Sequence, residues 1–162
     1  MTTFRKLLVT GLLAAVLGAT ESAVAAALAP AKPSQVVTLT NGSGNDCPFL
    51  GEAVDTQLFP DGSVQPFTIP AKQVLVITEV DWGVVFGPAS AAAVVALSVQ
   101  PPSATQSIPF FLDVTPADAT GTAGGTAAIA NAIVRSGSTV CVAGGTTGTK
   151  QVILRGFLTK DR

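Results

Sequence analysis

The chain contains no histidine and no tyrosine, and charged residues make up only 12% of its 162 positions. Without histidine it lacks the usual general base and the commonest transition-metal ligand, and without tyrosine it lacks a phenol acid. Ser-His-Asp, Cys-His and zinc-hydrolase sites are therefore excluded. Carboxylates alone remain for any catalysis. Lysine and arginine do not cluster and the net charge is −1, whereas a nucleic-acid surface needs concentrated positive charge. No nucleic-acid partner is expected. Repeats of fixed period are absent too, which disfavours solenoids and propellers, and no cofactor is called for by any motif. The glycine-rich run 144–150 (GGTTGTK) lacks the glycine spacing and Gly-Lys-Ser/Thr ending of a phosphate-binding loop.

What is present begins with an N-terminal address. Arg5 and Lys6 precede an uncharged apolar run over 7–19, followed by the small residues Ala23, Val24 and Ala25. That order predicts a secretory signal over residues 1–25, with cleavage near Ala25. The run is shorter than the roughly 20 apolar residues that a membrane-spanning helix needs, so no stable transmembrane anchor is expected. Residues 26–34, with Pro30 and Pro33, read as an extended leader. Residues 35–162 are then one domain of ordinary size with a single core, located in the periplasm or secreted. Cys47 and Cys141 are the only cysteines. In an oxidising compartment they are expected to form a disulfide, with two buried free thiols as the alternative.

The mature part reads as strands. Gln35 to Thr40, Val64 to Ile69, Gln73 to Phe86, Ala93 to Val99, Ile108 to Val114, Ala127 to Val134, Thr139 to Ala143 and Gln151 to Leu158 are β-branched or alternating stretches bounded by turn residues. Between the first two, Phe59-Pro60-Asp61-Gly62 is a turn signal, and residues 47–58 read as loop with one short strand. The alanine-rich 89–96 and 127–132 pieces are read as strands, with short helices as the alternative. Seven or eight short strands without long amphipathic helices predict an all-β sandwich of jelly-roll type. In the longest piece, Val74, Val76, Thr78, Val80, Trp82, Val84 and Phe86 share one face by period two and are assigned to the core. Gly83 is expected to mark a bulge, a bend or the strand end. Trp82, Phe86 and Phe157 are the leading core aromatics.

Two groups of acids are candidate sites. Glu79 and Asp81, at i and i+2 on one strand face, stand roughly 6 to 7 Å apart, a separation that glycoside hydrolases use. The piece Glu79-Val80-Asp81-Trp82 resembles the Glu-x-Asp-x-Glu strand of a β-sandwich glycosidase family, with Gly83 where that family places its third carboxylate. The other reading is a solvated face whose acids discourage edge pairing. Asp46, Glu52, Asp55 and Asp61 gather oxygen ligands in a loop-rich stretch, a composition that suits calcium, against ordinary turn and capping acids. Asn41-Gly42-Ser43 fits a glycosylation acceptor but reads first as a turn. The final strand segment Arg155-Gly156-Phe157-Leu158 resembles, over Gly-Phe-Leu, the last strand of trimeric jelly-roll heads of the C1q and tumour-necrosis-factor kind, which implies a jelly roll. The function expected from these features is that of an exported non-catalytic structural or binding module, self-associating at or near the cell surface or with a cell-envelope partner. The alternatives are a small carboxylate-based glycosidase using Glu79 and Asp81, or a sugar- or calcium-binding module.

Overall fold

The computed structural model describes residues 30, 32–42, 46–47, 51–85, 87, 89–103, 105–143 and 149–161, without the side chains at 46, 131 and 149. The expected signal and Phe86 fall outside these residues. Pro33–Gln35, where the stretch expected to be an extended leader meets the first strand, forms a 3₁₀ turn. Proline fixes φ there, Gln35 N–H donates to the Lys32 carbonyl, and Gln35 Oε1 accepts from Lys32 N–H at 2.8 Å.

Eleven strands follow among the described residues: β1 Val36–Thr40, β2 Asp46–Cys47, β3 Gly51–Ala53, β4 Thr56–Leu58, β5 Val64–Pro66, β6 Gln73–Val85, β7 Ala92–Gln100, β8 Ile108–Pro116, β9 Ala123–Arg135, β10 Thr139–Ala143 and β11 Thr149–Lys160. They form a six-stranded sheet A in the order β5-β4-β1-β11-β6-β9 and a five-stranded sheet B in the order β2-β3-β10-β7-β8. Setting aside β2 and the β4–β5 hairpin, which extend the edges, eight strands remain. The first pairs with the eighth (β1 with β11), the second with the seventh (β3 with β10), the third with the sixth (β6 with β9) and the fourth with the fifth (β7 with β8), all antiparallel. That nested pairing is the jelly roll. The all-β sandwich read from the sequence is the observed fold; the 127–132 piece lies in β9 and the 89–96 piece enters β7 at Ala92, with residues 89–90 in a turn. The stretch read as loop holds β3 and β4, each three residues long, too short to show a period. The Pro60-Asp61-Gly62 turn joins β4 to β5 with Gly62 at φ 83° and Gly62 N–H donating to the Phe59 carbonyl.

The core lies between the sheets, with Leu39, Leu75, Ile77, Val80, Trp82, Val84, Val152 and Leu154 from sheet A against Ala93, Val95, Leu97, Val140 and Val142 from sheet B. One expectation is corrected here. Val74 and Val76 do not share the core face with Val80, Trp82 and Val84; their neighbours Leu75 and Ile77 do. The registers of β6 slip between Ile77 and Glu79 against β9, and between Arg155 and Gly156 of β11. Against β11 Thr78 is the extra residue, whereas against β9 it stands opposite residues 129–131, and the slip flips the parity of the part of β6 before it. The irregularity therefore sits at Thr78, and β6 runs straight through Gly83. Gly156 makes the slip sterically feasible, because a Cβ there would lie 2.2 Å from the Val76 carbonyl oxygen.

Cys47 and Cys141 are bonded, with Cα atoms 5.9 Å apart and a sequence separation of 94. The link ties β2 to β10 across β3 and, with Ala53, forms a small cluster separate from the main core. No helix among the described residues is long and apolar enough to cross a membrane.

Candidate functional site

Past the Thr78 bulge, Glu79 and Asp81 stand on the outer face of sheet A. The register sets Arg155 of β11 opposite Glu79 and Thr126 of β9 opposite Asp81. Arg155 Nη1 reaches Glu79 Oε1 and Asp81 Oδ2, each at 2.5 Å, and Thr126 Oγ1 donates to Asp81 Oδ1 at 2.6 Å. The Thr126 hydroxyl, and after it the Arg155 guanidinium, hold the Asp81 carboxyl below the usual carboxylate range. Asp81 in turn, with Glu79 beyond it, holds Arg155 more firmly protonated. The paired side chains remain 27 to 42% exposed, on an open sheet face. A glycosidase acid needs a raised pKa and a groove that holds the sugar between two carboxyls. Here both acids lean on one cation and Asp81 titrates in the wrong direction for a proton donor.

Of the loop acids, Asp46 and Glu52 are register partners on β2 and β3, while Asp55 and Asp61 lie against the hydroxyls of their near neighbours Thr56 and Ser63. Asp61 Oδ1 accepts from the N–H and the hydroxyl of Ser63, at 2.9 and 2.6 Å, which lowers its pKa. Glu52 Oε2 accepts from Asn41 Nδ2 at 2.7 Å, and Asp55 Oδ1 lies 3.5 Å from Thr56 Oγ1. Asp46 has a described backbone only, in β2. Among the described residues no three His, Cys, Asp or Glu side chains gather in a way that would hold a metal ion. Asn41 is a joint rather than a free acceptor for glycan. Its Nδ2 also donates to the Lys150 carbonyl at 3.0 Å and its Oδ1 accepts from Val152 N–H at 2.9 Å, so the side chain pins the end of β1 to β11.

Three features were missed by sequence reasoning. Trp82, 5% exposed, donates from Nε1 to Asp113 Oδ2 at 3.0 Å, so an acid of β8 turns inward and joins the two sheets. The tight passage is kept by Gly125, whose Cβ would approach both groups at 3.2 to 3.3 Å. Second, the same alternation that turns Asp113 inward turns Leu112 and Val114 out, 67% and 56% exposed. The only signal for this in the sequence was an acid flanked by aliphatics within a strand, and on a strand buried on one side only the Asp113 side would be expected in water. Third, a cleft of about 690 Å³ opens at one end of the sandwich, floored by Leu39, Val54, Leu75 and Val140 and rimmed by Phe67, Ile69, Pro102 and Ser138. Its size suits a small molecule. It does not reach Glu79 or Asp81. Phe157 is 6% exposed but lies beside Val76 on the outer face of sheet A, outside the main core cluster.

No protein-family model and no curated protein matches the chain. Among solved structures it is similar to the tumour necrosis factor Eiger of S. frugiperda, at 11% identity and a TM-score of 0.38, over 78% of this chain and 84% of that one. It is also similar to the cryo-EM structure of broad bean stain virus, at 13% identity and a TM-score of 0.27, over 81% and 78%. The fold assignment rests on the nested strand pairing itself.

Proposed function

We propose that the chain is an exported, non-catalytic structural or binding module, which leaves the cytoplasm by a signal over residues 1–25 and associates with copies of itself at or near the cell surface. The observation that carries the non-catalytic reading is the Glu79–Arg155–Asp81 network. It ties the one strand-spaced carboxylate pair to a shared guanidinium on an open face. The Cys47–Cys141 bond supports export, because structural disulfides persist in oxidising compartments. The low share of charge, 12%, supports burial of part of the surface in an assembly.

The test is intact mass, reduced and non-reduced, of protein recovered from the envelope and medium of expressing cells, together with polysaccharide hydrolysis assays on the wild type and on Glu79→Ala/Asp81→Ala. Cleavage near Ala25, a mass two protons below the dithiol and no hydrolysis that depends on the two acids are expected. An uncleaved chain kept in the cytoplasm overturns export, and polysaccharide hydrolysis lost in the double variant overturns the non-catalytic reading.

A further inference from the structure

Of the asparagines Asn41, Asn45 and Asn131, only Asn41 is followed by glycine. Glycine has no Cβ to shield its backbone nitrogen or to restrict its conformation, so in an open chain the Gly42 nitrogen can reach the Asn41 side chain. That nitrogen attacks Asn41 Cγ. A C–N bond forms, the Gly42 N–H proton is given up, and Nδ2 departs as ammonia to leave a cyclic succinimide. Water then opens the ring at either of its carbonyls. The product is an ordinary aspartate at position 41 or an isoaspartate, in which the main chain runs through Cβ and Cγ and gains a methylene. In sum, one water is consumed and one ammonia is released.

The fold holds this amide in place. Thr40 pairs with Ile153, so Asn41 stands just past the last rung of the β1–β11 ladder, and its side chain continues the ladder. Oδ1 accepts from Val152 N–H at 2.9 Å, and Nδ2 donates to the Lys150 carbonyl at 3.0 Å. Nδ2 also donates to Glu52 Oε2 at 2.7 Å, which carries the joint from sheet A to β3 of sheet B. Both Nδ2 bonds must break before ammonia can leave. The partners also read the chemistry of the side chain. Val152 N–H can only donate, whereas the Lys150 carbonyl and the Glu52 carboxylate can only accept, so the joint demands an oxygen on one side and an NH2 on the other. Aspartate would set a carboxylate oxygen against the Lys150 carbonyl and the Glu52 carboxylate. Isoaspartate would, in addition, displace the end of β1 by a methylene.

We propose that Asn41 is a covalent modification site gated by the fold: it deamidates when the end of β1 opens or the chain unfolds, and the folded joint rejects the acid products. Folding preserves the amide, and loss of the amide opposes refolding. Each opening therefore feeds a chemical step that the chain itself does not reverse. The site stands independently of export and of self-association.

The experiment ages the full chain, with its disulfide intact, in mildly alkaline buffer with and without unfolding concentrations of urea. Peptide mass mapping follows each asparagine, the replacement of NH2 by OH marking the acid. Conversion at Asn41 should run at least about tenfold faster in urea than in the native protein, because a protected group reacts through its rare open state. In urea it should also outpace Asn45 and Asn131, and Gly42→Ala should remove most of that excess. The urea-aged wild type is then diluted back into buffer and its compact and unfolded fractions are separated; the acid at position 41 should be enriched in the unfolded one. Asn41→Asp should lower the melting temperature, and adding Glu52→Gln, which can donate where Glu52 only accepts, should restore part of the loss. Equal rates in native and unfolded protein overturn the gating. Conversion in urea no faster than at the other asparagines overturns the site, and acid spread evenly between the two fractions overturns the rejection by the joint.

Discussion

The outer faces of the two sheets are finished differently. On sheet A, the charges at the centre of the face are matched across strands, with Arg155 between Glu79 and Asp81 and Thr126 capping the latter. On sheet B, β7 and β8 show aliphatic side chains to solvent and keep their one acid inside. The internal bracing differs as well. Sheet A is built on long ladders, with β6 paired along most of its thirteen residues to both β11 and β9. Sheet B has shorter partners and a covalent clip. The contrast holds for the paired patch and not for the whole of sheet A, because the outer-face row Val36, Phe157, Val76 and Ile133 across β1, β11, β6 and β9 is apolar, with Val36 54% and Ile133 53% exposed. Paired charges suit water, whereas an uncharged apolar stretch gains free energy from being covered.

The largest break in this comparison comes from the clip. In the chain-entropy model, closing a loop of about 100 residues is worth about 4 to 5 kcal/mol. Cys47→Ser/Cys141→Ser should lower the denaturant midpoint by a corresponding amount. Hydrogen exchange should rise first in β2, β3 and β10, with β6 and β11 protected longer; uniform loss of protection in both sheets would show that the clip serves the whole fold alike. Next in size is Gly156→Ala on sheet A. The added methyl would sit 2.2 Å from the Val76 carbonyl oxygen, so backbone has to move and a loss of about 2 to 4 kcal/mol is expected. Equilibrium urea unfolding checks it, and an unchanged midpoint would mean that the bulge at Thr78 relaxes without strain.

Asp113→Ala tests the joint between the sheets. It leaves the Trp82 Nε1–H without its acceptor, and a buried donor left unsatisfied costs about 1 to 3 kcal/mol. Unfolding followed by tryptophan fluorescence is direct here because Trp82 is the only tryptophan. A loss near zero, with emission unshifted, would show that water replaces the carboxylate.

How much of this was legible in the sequence depended on how local the cause is. The sandwich followed from strand spacing, and the disulfide from there being only two cysteines. The Pro60-Asp61-Gly62 turn was readable from three adjacent residues. The parity of β6 was not, because its slip at Thr78 is accommodated by Gly156 and by residues 129–131, which are distant in sequence. Arg155 carries no local signal of its role, since the acids that it serves lie on another strand, 76 residues away for Glu79. β3 and β4 are too short for any alternation to show, and their pairing is set by β10 and β1.

The smallest expected effect is on the paired face. Thr126→Val removes the leading cause of the lowered Asp81 pKa, so the Asp81 carboxyl should titrate at higher pH than in the wild type, read by carbon-detected NMR of its carboxyl. The sign for stability follows. A carboxyl whose folded pKa lies below its unfolded value contributes stability that is fully present above the unfolded pKa, near 3.9, and is lost as pH falls through the folded one. The wild type should therefore hold its advantage over Thr126→Val at neutral pH and lose it on acidification below about pH 4. Because these side chains are substantially exposed, the advantage should stay below about 1 kcal/mol. If the two proteins differ equally at pH 7 and at pH 2, the threonine acts by packing between β6 and β9, and the comparison of the two faces loses its electrostatic half.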